Sequence, residues 1–237
     1  MDNPGYSNHI DVKHPSSVPW SVSDVIFVYF CIFILSIIFT GSLLYANIDI
    51  DKNFYIVALQ ILLSVSILTL IYLIVVQKYN IPFKEAFGIS FNRMPRFIHQ
   101  GIIVTAIMIV STTVIGIVFS EITNNEPQTP YTDMSLDKFK WLSLLAVFFA
   151  PVVEEFFFRG FMQPAIIKRL GVIGGIVVTA LIFGISHTQY LNYGAALFSV
   201  TAIGLILGIA RYKTGSVMPG IFAHFFNNFL AVLFIFN

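Results

Sequence analysis

Two adjacent carboxylates stand inside an apolar stretch of the chain, VVEEFFFRGF at residues 152–161. Glu155 and Arg159 are four residues apart, so a helix would place them on one face with the acid N-terminal to the base, the favourable order for an ion pair. Glu154 would be rotated by about 100° from Glu155 and would find no such partner on its own helix. A carboxylate without a partner can act as a base on water.

Two further polar clusters follow in hydrophobic surroundings. The segment FGISH ends in His187, with Phe183 one turn earlier on the same face, and AHFFNN places His224 and Asn228 four residues apart so that their side chains converge. Each cluster alone is also explained by hydrogen bonds or ion pairs between helices. Their occurrence together with the Glu154 cluster in the same half of the chain favours a function over a purely structural role.

The composition of the chain indicates an integral membrane protein. Of its 237 residues 57% are hydrophobic and 11% are charged, and the mean hydropathy is +0.85, whereas soluble domains carry about 25% charged residues. Ionisable groups at membrane depth are rare and indicate function. The net charge of +1 argues against nucleic acid as a partner, and the single cysteine, Cys31, excludes an intrachain disulfide framework.

Hydrophobic runs long enough to cross a bilayer core of about 30 Å recur along the chain. They lie at residues 25–45, 54–76, 101–120, 141 to about 164, 170–210 and 215–237. The run at 170–210 has no Asp, Glu, Lys or Arg but is too long for one span, so we expect it to break near HTQYLNYG. The sequence therefore predicts an all-α, polytopic membrane helix bundle of about seven transmembrane helices, with a catalytic core in the last four.

We divide the chain into a polar N-terminal tail (1–20), a variable part with three membrane helices, a basic loop and an acidic loop (21–137), and a helical core (138–237). Ten of the thirteen basic residues fall on one side of the predicted membrane. They are Lys13, Lys78, Lys84, Arg93, Arg96, Arg159, Lys168, Arg169, Arg211 and Lys213. The positive-inside rule then places the N-terminus in the cytoplasm and the C-terminus outside.

This topology contains a conflict about the depth of the site. A fourth span running inward puts Glu154 near the cytoplasmic side, and a fifth span running outward puts His187 near the opposite side. The two side chains can meet only if the fourth span is tilted or begins outside the core, or if the fifth begins well after Gly171. The places that favour a bend are Pro151, Pro164 and Gly174–Gly175.

The three motifs, in this order, resemble those of a known family. EEFFFR fits EExxxR, FGISH fits FxxxH and HFFNN fits HxxxN, and from about Trp141 to the C-terminus the chain resembles the CAAX-protease and bacteriocin-processing (CPBP, or Abi) family of intramembrane proteases. Eukaryotic members trim the last three residues from prenylated CaaX proteins, and bacterial members are linked to bacteriocin immunity and peptide maturation. The resemblance implies a bacterial cell-membrane endopeptidase that acts in the lipid bilayer on a membrane-associated peptide or protein.

The resemblance also implies roles for the motif residues. Glu154 and His187 would activate the attacking water, and His224 and Asn228 would stabilise the oxyanion. The remaining motif residues, Glu155, Arg159 and Phe183, would support this site.

We expect no cofactor, although zinc is an alternative. Glu154, His187 and His224 could ligate zinc and leave one position open for water. Against zinc stand the absence of HExxH and of an obvious second-shell acid for each histidine.

Three other functions share some of these features. A non-proteolytic scaffold or bacteriocin self-immunity protein on the same fold would use the motifs only to join helices. A proton-coupled transporter also uses buried Glu and His, but the chain has no inverted repeat. A rhomboid-like serine protease would use Ser186 of GIS, which lacks the following glycine and leaves Glu154 without a role.

Overall fold

The computed structural model describes residues 18–47, 53–126, 128 and 136–236. Throughout this part of the chain every regular element is a helix, which confirms the predicted all-α fold. The α-helices are α1 (Val22–Tyr45), α2 (Asn53–Tyr72), α3 (Phe83–Ala86), α4 (Met94–Thr123), α5 (Leu136–Leu144), α6 (Ala150–Glu154), α7 (Gln163–Ser186), α8 (Gly194–Thr214) and α9 (Met218–Phe236). Most of the predicted tail (1–17) and part of the predicted acidic loop (129–135) lie outside the described residues.

Wider and tighter helical turns join several of these helices. π-Helical segments cover Leu73–Lys78 after α2, Leu145–Phe149 between α5 and α6, and Glu155–Met162 between α6 and α7. Short 3-10 turns cover Phe91–Arg93 and Thr188–Tyr190. The EEFFFR motif therefore begins at the end of α6 and continues into a π-helix, which the sequence pattern did not indicate.

The helices have the length and composition of a multi-pass membrane protein. Among the described residues, five helical stretches are long and apolar enough to cross a membrane, and Met218–Phe234 is a shorter apolar helix. The protein is thus an integral, multi-pass membrane protein. The count of seven membrane helices stays a prediction.

The longest of the five stretches, Lys140–Ser186, folds back on itself at Gly171. Gly171 has φ +71° and ψ 176°, a conformation that glycine adopts without steric cost. Beyond the turn Gly175 packs against Ile167, and a Cβ placed on Gly175 would lie 2.9 Å from the Ile167 Cα. The two arms of this hairpin stay in contact away from the turn, where Phe158 and Phe183 pack edge to face at a centroid distance of 5.1 Å.

This hairpin removes the conflict about depth. Glu154 lies 17 residues before Gly171 and His187 lies 16 residues after it, so the two arms bring both side chains to the same level. The expected end of the fourth span near Pro164 is corrected, since the helical arm continues to Leu170. The predicted break near HTQYLNYG is confirmed, because α7 ends at Ser186 and α8 begins at Gly194.

The remaining helices pack around the hairpin. α8 lies along α7, and α4 lies along α9. At the second contact Gly101 lets the backbones approach, since a Cβ there would lie 2.6 Å from the Phe222 Cβ. The Thr105 hydroxyl donates to the Ala223 carbonyl at 3.2 Å, directly before His224. α4 thereby holds α9, the helix that carries the predicted site residues His224 and Asn228.

The N-terminal helices and the hairpin share one hydrophobic core. Trp20 and Phe87 from the N-terminal part are fully buried against Phe156 and Phe161 of the π-helical segment. Trp20 is the last residue of the predicted polar tail (1–20). Its burial shows that the segment directly before α1 packs into the core. Burial of such aromatic side chains stabilises a fold by about 1.5–3 kcal/mol each in water, and in a bilayer their packing supplies the attraction.

Candidate functional site

Three of the four residues predicted to be catalytic meet at one point. Glu154 ends α6, His187 follows α7, and His224 lies in α9. The Glu154 Oε2 atom is 3.8 Å from the His187 Nε2 atom and 3.9 Å from the His224 Nε2 atom. A carboxylate oxygen facing two imidazole nitrogens across gaps of this size has room to share a water molecule and its protons with them.

The other nitrogen of each histidine also faces an oxygen acceptor. The His187 Nδ1 atom is 2.7 Å from the Phe183 carbonyl oxygen. Because a carbonyl only accepts hydrogen bonds, Nδ1 carries a proton, and the ring turns its Nε2 atom towards Glu154. The His224 Nδ1 atom is 3.5 Å from the Glu155 Oε1 atom, so His224 lies between the two adjacent glutamates of the motif.

Glu155 and Arg159 form the ion pair expected from their spacing. The Arg159 Nη1 atom is 2.9 Å from the Glu155 Oε1 atom, and both side chains are fully buried. The guanidinium also donates from Nη2 to the Gly204 carbonyl at 3.2 Å and lies 4.1 Å from the centroid of the Phe183 ring. This cation–π contact, with the hydrogen bond to α8, compensates part of the cost of burying the charge.

Phe183 packs between the charged and the histidine parts of the site. Its ring centroid is 4.5 Å from that of His187 and 6.1 Å from that of His224. The ring thus contacts the Arg159 guanidinium as well as both imidazoles.

The site is open at one end and sealed at the other. The side chain of Glu154 is 23% exposed and that of His187 is 18% exposed, whereas Glu155 and Arg159 are 0% exposed. A reacting group can therefore reach Glu154 and His187, whereas Glu155 and Arg159 are buried and out of its reach.

Asn228 lies one turn beyond His224 on α9, but its observed hydrogen bonds lead away from Glu154. Its Nδ2 atom donates to the Ala146 carbonyl at 2.8 Å, in the π-helical turn before α6. The neighbouring Asn227 donates to its Oδ1 atom at 3.4 Å. An amide nitrogen carries two hydrogens, so one donor of Asn228 is left for another acceptor.

Two residues near the site did not stand out in the sequence. Gln163 is fully buried and donates to the Gly208 carbonyl at 3.0 Å. Its position four residues after Arg159 could have indicated in the sequence that the two polar side chains lie close together on one helix. Tyr29 from α1 packs edge-on against Phe157 at 5.0 Å and its phenol interacts with Ser186. No spacing rule connects Tyr29 with residues so far along the chain.

The geometry of the site bears on the argument about zinc. No group of three His, Cys, Asp or Glu side chains within the described residues has the arrangement of a metal site. The His187 Nδ1 atom contacts the Phe183 backbone carbonyl rather than an acid, and the His224 Nδ1 atom lies 3.5 Å from the Glu155 carboxylate. The expectation that each histidine lacks a second-shell acid therefore stays a prediction. The absence of an HExxH motif remains as the reason to expect a metal-independent reaction.

A family model matches the part of the chain that holds all these motifs. Residues 137–230 match the family described as type II CAAX prenyl endopeptidase Rce1-like. This match confirms the resemblance to CAAX proteases that the three motifs indicated. It includes Glu154, His187, His224 and Asn228 and excludes α1 to α4.

Two curated bacterial proteins are similar over the same length of chain. An uncharacterized 24.3 kDa protein of Escherichia coli is 33% identical over 96 residues, which cover 39% of this chain and 44% of that protein. The uncharacterized protein YpbD of Bacillus subtilis (strain 168) is 32% identical over 95 residues, which cover 40% of this chain and 44% of that protein. The chain thus spans less than half the length of these relatives. No solved structure matches the chain significantly.

Proposed function

Since residues 137–230 match the model of the Rce1-like CAAX endopeptidases, we propose that the protein is an intramembrane endopeptidase. It would hydrolyse a peptide bond of a membrane-associated peptide or protein, with Glu154 and His187 activating water and with His224 and Asn228 stabilising the oxyanion. The observation that carries this proposal is the position of the Glu154 carboxylate, 3.8 and 3.9 Å from the Nε2 atoms of His187 and His224.

The first step of the proposed reaction is attack by water. A water molecule between Glu154 and His187 gives one proton to the Glu154 carboxylate as its oxygen bonds to the carbonyl carbon of the substrate. The lone pair on the His187 Nε2 atom accepts the second hydrogen of that water in a hydrogen bond and orients it. The 3.8 Å gap between the two side chains supports this shared contact.

The oxyanion formed in that step needs donors. A proton on the His224 Nε2 atom would be donated to the oxyanion, and the free amide hydrogen of Asn228 would supply a second donor. The 3.5 Å separation of the His224 Nδ1 atom from Glu155 Oε1 supports this orientation of the ring, with Nε2 towards the site. When the tetrahedral intermediate collapses, the C–N bond breaks and the proton held by Glu154 passes to the leaving amine.

Peptide mapping in membranes tests the proposal without a known substrate. Membranes that contain the wild-type protein or its Glu154→Gln variant at equal amounts are incubated, and new protein N-termini are labelled and identified by mass spectrometry. We expect a set of N-termini that only the wild-type protein produces, and the variant should retain the uncleaved substrates on a pull-down. Identical sets of N-termini in both membranes would support the scaffold or immunity function instead.

We place the protein in a bacterial cell membrane with a cytoplasmic N-terminus and an external C-terminus. The bacterial origin of both similar proteins supports the first part. The exposed Lys168 and Arg169 beside the Gly171 turn support the second, because they put this end of the hairpin on the basic, cytoplasmic side.

Hydrolysis is expected to resist chelators, because no HExxH motif is present in the chain. Cleavage by the purified protein in detergent should persist after exhaustive treatment with 1,10-phenanthroline, while a zinc protease treated in parallel loses its activity. Loss of cleavage that added zinc restores would instead assign Glu154, His187 and His224 as metal ligands.

Substitution of Asn228 by Ala is expected to lower kcat by about 10²-fold or more with little change in KM, because an oxyanion donor acts only in the transition state. The variant also loses the hydrogen bond to the Ala146 carbonyl, so its melting temperature must be measured in the same preparation. Asn227→Ala is compared in parallel; it removes the hydrogen bond to the Asn228 Oδ1 atom but leaves the Asn228 donors in place, so its kcat should fall much less. An effect of Asn228→Ala on KM alone would contradict the role of Asn228.

A further inference from the structure

The segment before α1 makes a specific contact with the motif helix. Trp20 is fully buried, and its indole N–H donates to the Phe161 carbonyl at 2.8 Å although 141 residues separate the two in sequence. The Trp20 ring also stacks on Phe161 at a centroid distance of 5.7 Å and on Phe87 at 6.5 Å. Trp20 therefore contacts the backbone of the motif helix as well as its side chains.

Phe161 belongs to the π-helical segment Glu155–Met162, which starts directly after Glu154. π-Helices are rare and mostly single turns, so a segment of 8 residues implies that groups outside the helix hold it. A return of this segment to α-helical hydrogen bonding would shift the residues before it relative to the residues after it. Each residue of shift would rotate the two sets of side chains relative to each other by about 100°. Glu154 lies on one side of the segment, and the base of the Gly171 hairpin lies on the other.

The backbone around Trp20 is fastened independently of its ring. Lys168 Nζ donates to the Pro19 and Trp20 carbonyls at 3.3 and 3.1 Å, from the same hairpin arm. Asp24 accepts from the Ser21 backbone at 2.8 Å and pairs with Lys78 at 2.6 Å. Removal of the indole N–H alone should therefore leave the segment in place and affect only the contact with Phe161.

We propose that Trp20 is a positioning residue for the reaction. Its N–H holds the Phe161 carbonyl, keeps Glu155–Met162 in the π-helical register, and so holds Glu154 in line with His187 and His224. This inference rests on the proposed endopeptidase function. Trp20 lies outside residues 137–230, so the segment that matches the family does not contain this contact.

The chain offers a matched control, because it has two tryptophans and Trp141 is half exposed. Trp20→Phe and Trp141→Phe are compared with the wild-type protein for kcat, KM and melting temperature. We expect Trp20→Phe to lower kcat about five- to tenfold, as loss of one oriented hydrogen bond does, with KM unchanged and a melting temperature within a few degrees. Trp141→Phe should match the wild-type protein in all three.

A second variant removes the N–H without changing the ring. In the Trp141→Phe background Trp20 is the single tryptophan, and expression in a tryptophan auxotroph can replace it by benzothienylalanine, which carries sulfur in place of the N–H group. The same fall in kcat is expected while ring stacking and folding are kept. This variant decides the matter if Trp20→Phe does not fold.

The outcomes separate the two proposals. If the wild-type protein cleaves, Glu154→Gln does not, and both Trp20 variants keep kcat within twofold of Trp141→Phe, the role of Trp20 is refuted and the endopeptidase proposal stands. A kcat that falls only in proportion to the folded fraction also refutes it, since Trp20 would then be structural. If the wild-type protein does not cleave, the proposed function fails, and the role of Trp20 with it.

Discussion

Replacement of Glu154 by Gln is expected to abolish peptide cleavage while the melting temperature stays within a few degrees of the wild-type value. Gln keeps the volume of the side chain but cannot accept the proton of the attacking water, and loss of a general base costs about 10²–10⁴-fold in rate. The carboxylate is 23% exposed and lies 3.8 and 3.9 Å from two histidine nitrogens, so its replacement leaves the buried Glu155–Arg159 ion pair intact. Cleavage and thermal unfolding are measured on the same preparation.

Glu155→Gln is measured beside it, because it makes the same chemical change one residue further along but removes the partner of the buried Arg159 charge, so it is expected to lower the melting temperature. If Glu154→Gln retains near-normal turnover while Glu155→Gln is folded and inactive, the roles of the two glutamates are reversed. If both variants are folded and fully active, the EEFFFR motif is structural and the endopeptidase proposal falls with it.

Replacement of Glu155 or Arg159 by Ala is expected to reduce the amount of folded protein. The two side chains are 0% exposed and their charged atoms are 2.9 Å apart, so removing one leaves the other charge buried without its partner. Breaking such a pair destabilises a protein by about 3–5 kcal/mol. Each variant should therefore show a lower melting temperature in detergent and a lower yield than the wild-type protein.

The control for this prediction is Glu121→Ala, which removes an exposed carboxylate near the end of α4 and should leave the melting temperature unchanged. A double substitution, Glu155→Gln with Arg159→Met, measures the coupling of the pair. The double variant should be destabilised by less than the sum of the destabilisations of Glu155→Gln and Arg159→Met measured singly, because neither charge is then left without its partner. Additive effects would show that the ion pair contributes nothing of its own.

Local spacing was enough to predict the helical arrangement of the motifs. The i,i+4 relation of Glu155 and Arg159 describes a contact within one helix, so it could be predicted without the rest of the fold, and the ion pair is present at 2.9 Å. The break after Ser186 could be predicted as well, since a charge-free run from Leu170 to Ala210 exceeds one membrane span.

Contacts between distant segments could not be predicted in this way. The reversal at Gly171 depends on one glycine with positive φ among several glycines in the region, and only the packing of Gly175 on Ile167 distinguishes it. The π-helical segment has no residue pattern of its own, because its register is held by neighbours such as Trp20. The approach of the His224 Nδ1 atom to Glu155 likewise depends on how two helices meet.

The hairpin at Gly171 also limits how the chain can change in length. Since Glu154 and His187 lie at nearly equal distances along its two arms, one residue inserted into either arm would displace one of them by about 1.5 Å and rotate it by about 100°. Insertions in both arms would keep the two side chains level but would rotate each of them by about 100° out of the site. Extra residues at the turn itself would leave both arms unchanged, because a Cβ on Gly171 would meet no atom within 4 Å. Length variation among homologous chains should therefore concentrate at this turn.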